Sequence, residues 1–247
     1  MHVEQNGTRI SFELVGDGFP LVLLHGFGER AASWRWKSLV ESLAGDRRLI
    51  LVDARGHGAS DKPHAPGAYC GDLLIGDVVA ILDHLGAPQA DVLGYSQGGW
   101  IALNLVALAP ERVRRCVIGG ATPYGQDLSV YRALASAGAE RALGALERAA
   151  GFPFDQHTRE AFLENDMEAL KAAYTVDRPD ISGALESFAA PCLLLCGDQD
   201  PLLSDMQRFS DDAPERRLLV MAGMNHVQAA LRLNEVVPEI DTFLRSC

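Results

Sequence analysis

The chain has no excess of basic residues, no long hydrophobic run and no even set of cysteines. Lysine and arginine together number 22 against 33 aspartates and glutamates, a net charge of −11. Phosphate backbones and anionic lipid surfaces are held by clustered cations, so nucleic acid and membrane are both excluded as partners. No apolar stretch approaches the ~18 residues of a membrane span. The longest candidate, WIALNLVALA at 100–109, is too short and carries Asn104. The first ten residues, MHVEQNGTRI, are polar, so no export signal is visible and a cytoplasmic location is expected. The cysteines at 70, 116, 192, 196 and 247 are odd in number and scattered, which fits reduced thiols rather than a disulfide framework. Cys192 and Cys196 are spaced like metal ligands but fall in the apolar run PCLLLCG. A strand holds them about 13 Å apart, too far for one zinc ion or one disulfide. No metal site is expected, and no internal repeat or low-complexity tract is visible.

What is present fits one folded domain. The 247 residues are 48% apolar and 22% charged, ordinary for a globular α/β chain of this length. Asn6-Gly7 between alternating residues predicts a hairpin. Short apolar runs (PLVLL, RRLILV, ADVLGY, RRCVIGG, PCLLLCG, RRLLVM) alternate with amphipathic segments. The spacing predicts helices at 34–44, ending at Gly45, over DLLIGDVVAILDHL, over QGGWIALNLVALA, near 202–210, and over roughly 228–245. All-apolar strands alternating with helices imply a mostly parallel sheet covered on both faces. From Ala121 to Ser187 no strand is visible. That stretch is rich in Ala, Glu and Arg, with Tyr131, Phe152, Phe154, Phe162 and Tyr174 interspersed. It is expected to be a helical lid inserted in a core made of residues 1–120 and 188–247, over the ligand crevice at the strands' carboxyl ends. Its aromatics would either shape an apolar pocket or pack on the core.

One short stretch carries the chemistry. In VLGYSQGGW, residues 92–100, Ser96 stands between Gly94 and Gly98, with Gly99 beyond, at the junction of a strand and a helix. A hydroxyl attacks only when it is exposed, oriented and served by a base. A sharp strand-to-helix turn exposes it, and flanking glycines relieve the crowding. The helix starting at Gln97 also aims its amide dipoles at the site. Base and acid candidates lie further along. Seven histidines are available, and GDQDP offers both Asp198 and Asp200.

The sequence resembles the α/β-hydrolase superfamily, in its short-lid serine esterase subgroup. LLHGFG at 23–28 is similar to the family's oxyanion loop, VDARGHGASDKP at 52–63 to its D-x-R-G-x-G-x-S segment, and GYSQGGW to its nucleophile elbow. LLLCGDQDP and GMNHV are similar to its acid and histidine segments, in family order. The resemblance covers essentially the whole chain outside the lid. It implies Ser96 as nucleophile, His226, between the last strand and last helix, as base, and Asp200 as the carboxylate that orients it. Asp198 is left as a turn residue. It implies that the amides of Phe27 and Gln97 form the oxyanion hole, and that His25 and His57 hold loops in shape. His25, Trp100 and Tyr124 are the candidate pocket residues, although Trp100 could equally pack behind the elbow. Trp34 and Trp36 are expected in the core, and Glu29 and Arg30 as a solvated pair.

The fold hosts several reactions. A serine nucleophile argues against dehalogenase and epoxide-hydrolase chemistry, which use aspartate on this scaffold. Proline iminopeptidases differ at the elbow (G-G-S-W-G). Cofactor-free haloperoxidases have an elbow pattern that this chain lacks. Ring-fission C–C hydrolases usually carry Trp after the histidine, where this chain has Val227. The menaquinone-pathway lyase usually carries Arg where this chain has Trp100, although Arg132, Arg141 and Arg148 leave room for an anion. The expectation is therefore a serine hydrolase of a small ester or lactone, working through an acyl-enzyme on Ser96 with no metal or organic cofactor. A lyase or C–C hydrolase of the same fold, and a slow-turnover small-molecule receptor or stress regulator, are the alternatives. Monomer and homodimer are both compatible with the sequence.

Overall fold

The computed structural model describes every residue except Ser187, Ala189 and Cys247. The lid boundary drawn at residue 187 and the free thiol expected at Cys247 lie outside the described residues. Eight strands form one sheet: β1 His2–Gln5, β2 Thr8–Val15, β3 Phe19–Leu24, β4 Arg47–Val52, β5 Ala90–Tyr95, β6 Val113–Gly119, β7 Cys192–Gly197 and β8 Arg216–Met221. Their order across the sheet is β1-β2-β4-β3-β5-β6-β7-β8. β1 and β2 pair antiparallel, as do β2 and β4, and every later pairing is parallel. The β1–β2 hairpin turns on Asn6 (φ +49°) and Gly7 (φ +71°), the positive dihedrals that a two-residue turn with the strands' own twist requires.

The helices, in chain order, are α1 Ser33–Trp36, α2 Leu39–Leu43, α3 Gly71–His84, α4 Gln97–Leu108, α5 Ser129–Ala137, α6 Ala139–Ala150, α7 Gln156–Leu163, α8 Met167–Ala173, α9 Leu203–Asp211, α10 His226–Leu231 and α11 Val237–Arg245. Strand side chains alternate between faces, and the core divides accordingly. Val22 and Leu24 of β3 join Leu194 of β7 in a cluster capped by α3, α4 and α9. Leu21, Leu23, Leu193 and Leu195 join the opposite cluster, capped by α1, α2 and α11. Both faces are covered, so the central strands are apolar throughout. Cys116 of β6 stands in register with Cys192 of β7, and both are buried free thiols. No helix among the described residues is long and apolar enough to cross a membrane.

Two predicted helices are split. Residues 34–44 divide at Ser38, whose φ of +57° is a left-handed conformation through which a right-handed helix cannot continue. The closing segment divides after Leu231, and α11 restarts at Val237. Pro238 has no N–H and its ring would clash with the carbonyl four residues back, so a helix can only begin there. α10 begins at His226, two residues earlier than the spacing indicated.

Helices α5 to α8 lie between β6 and β7. They build a third apolar cluster above the strands' carboxyl ends, in which Phe27 of the core joins Leu143, Phe162, Leu170 and Tyr174.

Candidate active site

β5 ends at Tyr95 and α4 starts at Gln97, so Ser96 alone makes the turn. Its backbone sits at φ +55°, ψ −109°, a region that costs a non-glycine residue about 1–3 kcal/mol. Bonds on both sides hold it: its N–H donates to Gly119 O at 2.8 Å and its carbonyl accepts from Trp100 N–H at 3.0 Å. The neighbouring glycines are steric necessities. A Cβ on Gly98 would stand 1.8 Å from the Leu24 carbonyl oxygen, and one on Gly94 would stand 2.2 Å from Gly98 O. Side chains there would drive α4 away from the sheet and the hydroxyl out of place.

The other two groups arrive from the ends of β7 and β8. Asp200 follows β7, fully buried, with Oδ1 accepting the Leu202 N–H at 3.0 Å. His226 is the first residue of α10, whose cap Asn225 accepts the N–H groups of Val227 and Gln228 while Gln228 Oε1 accepts the Asn225 N–H. This reciprocal box fixes where the helix starts and so where the imidazole points. Close approach again needs glycine. A Cβ on Gly197 would lie 2.0 Å from Met224 O, and one on Gly120 (φ +53°) 2.8 Å from His226 Cε1.

The three side chains form one hydrogen-bonded chain. His226 Nε2 lies 3.0 Å from Ser96 Oγ, and Nδ1 lies 2.7 Å from Asp200 Oδ2. A carboxylate is acceptor-only, so it places the imidazole proton on Nδ1 and leaves the Nε2 lone pair facing the hydroxyl. Tyr95 Oη donates to the His226 carbonyl at 2.9 Å. Asp198 is exposed and its N–H closes the turn onto Met221 O. Among the described residues, neither the Phe27 nor the Gln97 amide donates to a protein acceptor.

The Phe27 loop is braced from within. Glu29 Oε2 accepts the Gly26 N–H at 3.1 Å, and Oε1 pairs with the buried Lys37 Nζ at 2.6 Å. Burial alone would raise the Glu29 carboxyl, but the Lys37 charge and these bonds outweigh it and hold the group below the usual range. The solvated Glu29–Arg30 pair expected from sequence does not form: Arg30 reaches Glu164 at 2.8 Å and the Ala161 carbonyl instead. His25 and His57 stack edge to face at 5.0 Å. Each turns Nδ1 to a carbonyl and accepts a backbone N–H on Nε2. Burial, which disfavours the imidazolium, lowers His25 and pushes His57 down to about 3.

Ser96, Asp200 and His226 open onto a cavity of about 550 Å³ walled by Phe27, Tyr131, Phe154 and Phe162 among others. Three of the interspersed aromatics are therefore pocket walls, while Phe152 is exposed. Trp36 lines this cavity and stacks on His157, whereas Trp34 is wholly buried. None of the three candidate pocket residues reaches it. His25 is sealed behind the loop by its bond to the Ala54 N–H at 3.1 Å. Tyr124 is turned toward α9, with its hydroxyl on Asp212 and its ring under Arg208. Trp100, one turn along α4, faces a second cavity on the other side of the elbow. Sequence reading missed Glu29 as a brace, Tyr95, Asn225 and Gly120. The N-x-x-Q spacing of a capping box was the one visible signal, in Asn225 and Gln228. Among the described residues, no group of three or more His, Cys, Asp or Glu side chains is placed to hold a metal ion.

A family model described as alpha/beta hydrolase fold matches residues 20–182. The chain is 39% identical over 132 residues to a 2-hydroxymuconate semialdehyde hydrolase of Pseudomonas sp. (strain CF600), which covers 49% of this chain and 46% of that protein. The matches thus span about half the length, or less, of the curated relatives. The esterase RhEst1 from Rhodococcus sp. ECU1013 superposes with a TM-score of 0.84 at 28% identity, covering 99% of this chain and 98% of that one. The enol-lactonase from Burkholderia xenovorans LB400 superposes with a TM-score of 0.85 over 100% of both chains. At 21% identity it shares the fold alone.

Proposed function

The chain belongs to the alpha/beta hydrolase family, and on that premise we propose that it is a serine hydrolase cleaving a small, moderately apolar carboxylic ester or lactone. The observation that carries this reading is the bonded chain from Asp200 through His226 to Ser96, at 2.7 and 3.0 Å, on the wall of an apolar cavity. Ser96 Oγ attacks the carbonyl carbon while His226 Nε2 takes its proton. The amides of Phe27 and Gln97 receive the oxyanion, fixed dipoles where negative charge develops. Asp200 holds the imidazole orientation and stabilises the imidazolium without taking the proton. His226 then protonates the departing alkoxide. Water, deprotonated by the same nitrogen, releases the acid and restores Ser96. The segment 121–187 acts as a lid. It supplies Tyr131, Phe154 and Phe162 to the cavity, and it is tied to the core where Asn225 Nδ2 and Gln228 Nε2 donate to the carbonyls of Ala149 and Ala150.

The similarity to the 2-hydroxymuconate semialdehyde hydrolase favours a second reading, hydrolysis of a semialdehyde of that kind on the same three residues. Val227 stands beside the histidine where ring-fission C–C hydrolases usually carry Trp, and this counts against it. Turnover of p-nitrophenyl acetate and butyrate, and of 2-hydroxymuconate semialdehyde, by wild type and Ser96→Ala decides between them. Ester turnover that disappears in Ser96→Ala supports the esterase. Turnover of the semialdehyde alone replaces it with the second reading. One stoichiometric acylation without further turnover points to a receptor.

A further inference from the structure

The second cavity, of about 470 Å³, lies beside α4 between the 66–74 segment and the end of α8. Its walls are mostly apolar: Tyr69, Leu74, Trp100, Ala173, Val176 and Ile181. Into this lining projects Arg178, which is 8% exposed. An arginine stays protonated under all ordinary conditions, and a buried cation is costly unless an anion compensates it. Among the described residues, no carboxylate lies within ion-pair distance of this one. Its Nη1 donates to Gln126 Oε1 at 2.7 Å, and its guanidinium stands 5.2 Å from the Trp100 ring centroid. Its Nε and Nη2 donate to no protein atom among the described residues, yet neither is sealed from solvent-sized space. The two acidic residues of the lining do not neutralise it. Asp177 is taken by Arg132 Nη1 at 2.6 Å and by the Leu128 N–H at 2.9 Å, and Asp72 is exposed at the rim.

The guanidinium is also fixed in place. Its own backbone exchanges both hydrogen bonds with Gln126, each at 3.0 Å. The Nη1 bond to the Gln126 side chain then anchors the fork, so that Nε and Nη2 present a preformed edge. A planar pair of donors matches the two oxygens of a carboxylate.

We propose that this second cavity binds a small organic carboxylate, its oxygens on Arg178 and its apolar body between Trp100 and Leu74. The site is separate from the Ser96 cavity and stands whether or not the chain hydrolyses esters. Hydrogen bonds to a charged partner are stronger than those between neutral groups, so the charge is expected to decide affinity.

Calorimetric titration of the intact chain with benzoate, and with benzamide as its uncharged isostere, tests this. Benzoate is expected to bind one to one, and benzamide at least about tenfold more weakly. Arg178→Gln is expected to weaken benzoate by a similar factor and to abolish its advantage over benzamide. Because Arg178→Gln removes an anchor of the 126–178 bridge, a second variant, Ala173→Phe, fills the cavity while keeping the arginine, and is expected to exclude both ligands. Ser96→Ala is expected to bind benzoate within about twofold of wild type, since Ser96 does not line the second cavity. The proposal is overturned if benzoate does not bind below about 10 mM. It is equally overturned if benzoate binds as well to Ala173→Phe, or if a folded Arg178→Gln keeps the preference for charge.

Discussion

The cavity that holds Ser96 and the cavity that holds Arg178 meet at a common wall. Phe27 and Gln126 line the first, and they touch Tyr174 and Arg178, which line the second. Tyr174 Oη donates to Gln97 Oε1 at 2.5 Å, a bond between the helical segment and the residue after Ser96. The first cavity carries its polar groups as a closed chain of donors and acceptors, and the second leaves a cation with open donors. The first is thus set up to move a proton, the second to receive a fixed charge.

Breaking the first cavity gives the largest effect. Ser96→Ala leaves the fold intact and is expected to lower kcat for p-nitrophenyl butyrate by about 10⁴-fold or more, while benzoate binding at Arg178 persists. Equal losses at both sites would mean that the cavities are one. Gly98→Ala breaks the support under both. Its Cβ would fall 1.8 Å from Leu24 O, a backbone atom that cannot swing aside. Overpacking of this kind costs about 1–3 kcal/mol and occasionally more, read as a lower Tm or urea midpoint. A Gly98→Ala chain as stable as wild type would show that α4 does not need to pack against β3 so closely.

How much of this was legible follows the same division. The Ser96 side lies within nine consecutive residues, and its constraints are local: a strand, a turn, and glycines where a Cβ would strike backbone. Sequence spacing reports such things directly. The order Ser96, Asp200, His226 was readable because each falls at the end of a strand that the apolar runs predict. The pocket was not readable, because facing directions depend on which turn of a helix meets which loop. Trp100 is only four residues from Ser96, yet it points into the other cavity. Tyr124 turns to α9, and the register of that helix has no signature near residue 124. Arg178 drew no notice, because what sets it apart is the absence of a partner, which only three-dimensional packing reveals. The split of 34–44 was hidden for a different reason. Nothing about a serine at position 38 advertises a left-handed backbone.

Acid separates the loop beneath the first cavity from the rest. Glu29 is held below its ordinary value of 4.5 by burial opposed and outweighed by Lys37, so its contribution to stability is complete above 4.5 and is lost as the pH falls through the lowered folded value. His57 adds in the same direction over a wider window. It is neutral when folded down to about 3, against 6.5 when unfolded, so stability declines between those limits as the unfolded chain takes up the extra proton. Glu29→Gln is expected to lose about 3 kcal/mol at neutral pH, because it leaves Lys37 buried without its anion. Below pH 4.5 its deficit relative to wild type shrinks. A constant deficit across pH 3 to 7 would place the effect in packing rather than charge.

The smallest effect sharpens the wall itself. Tyr174→Phe removes the hydroxyl that donates to Gln97 Oε1 and leaves the ring, which packs edge-on against Phe27 at 5.1 Å and stacks on Tyr131 at 5.1 Å. The lost bond is expected to cost about 1 kcal/mol of stability. If it also holds the Gln97 backbone where the oxyanion forms, kcat for p-nitrophenyl butyrate falls several-fold while KM stays constant. The ring still closes the second cavity, so benzoate affinity at Arg178 is expected to remain within about twofold. A change confined to benzoate would reverse the assignment, making Tyr174 part of the second site and Gln97 indifferent to it.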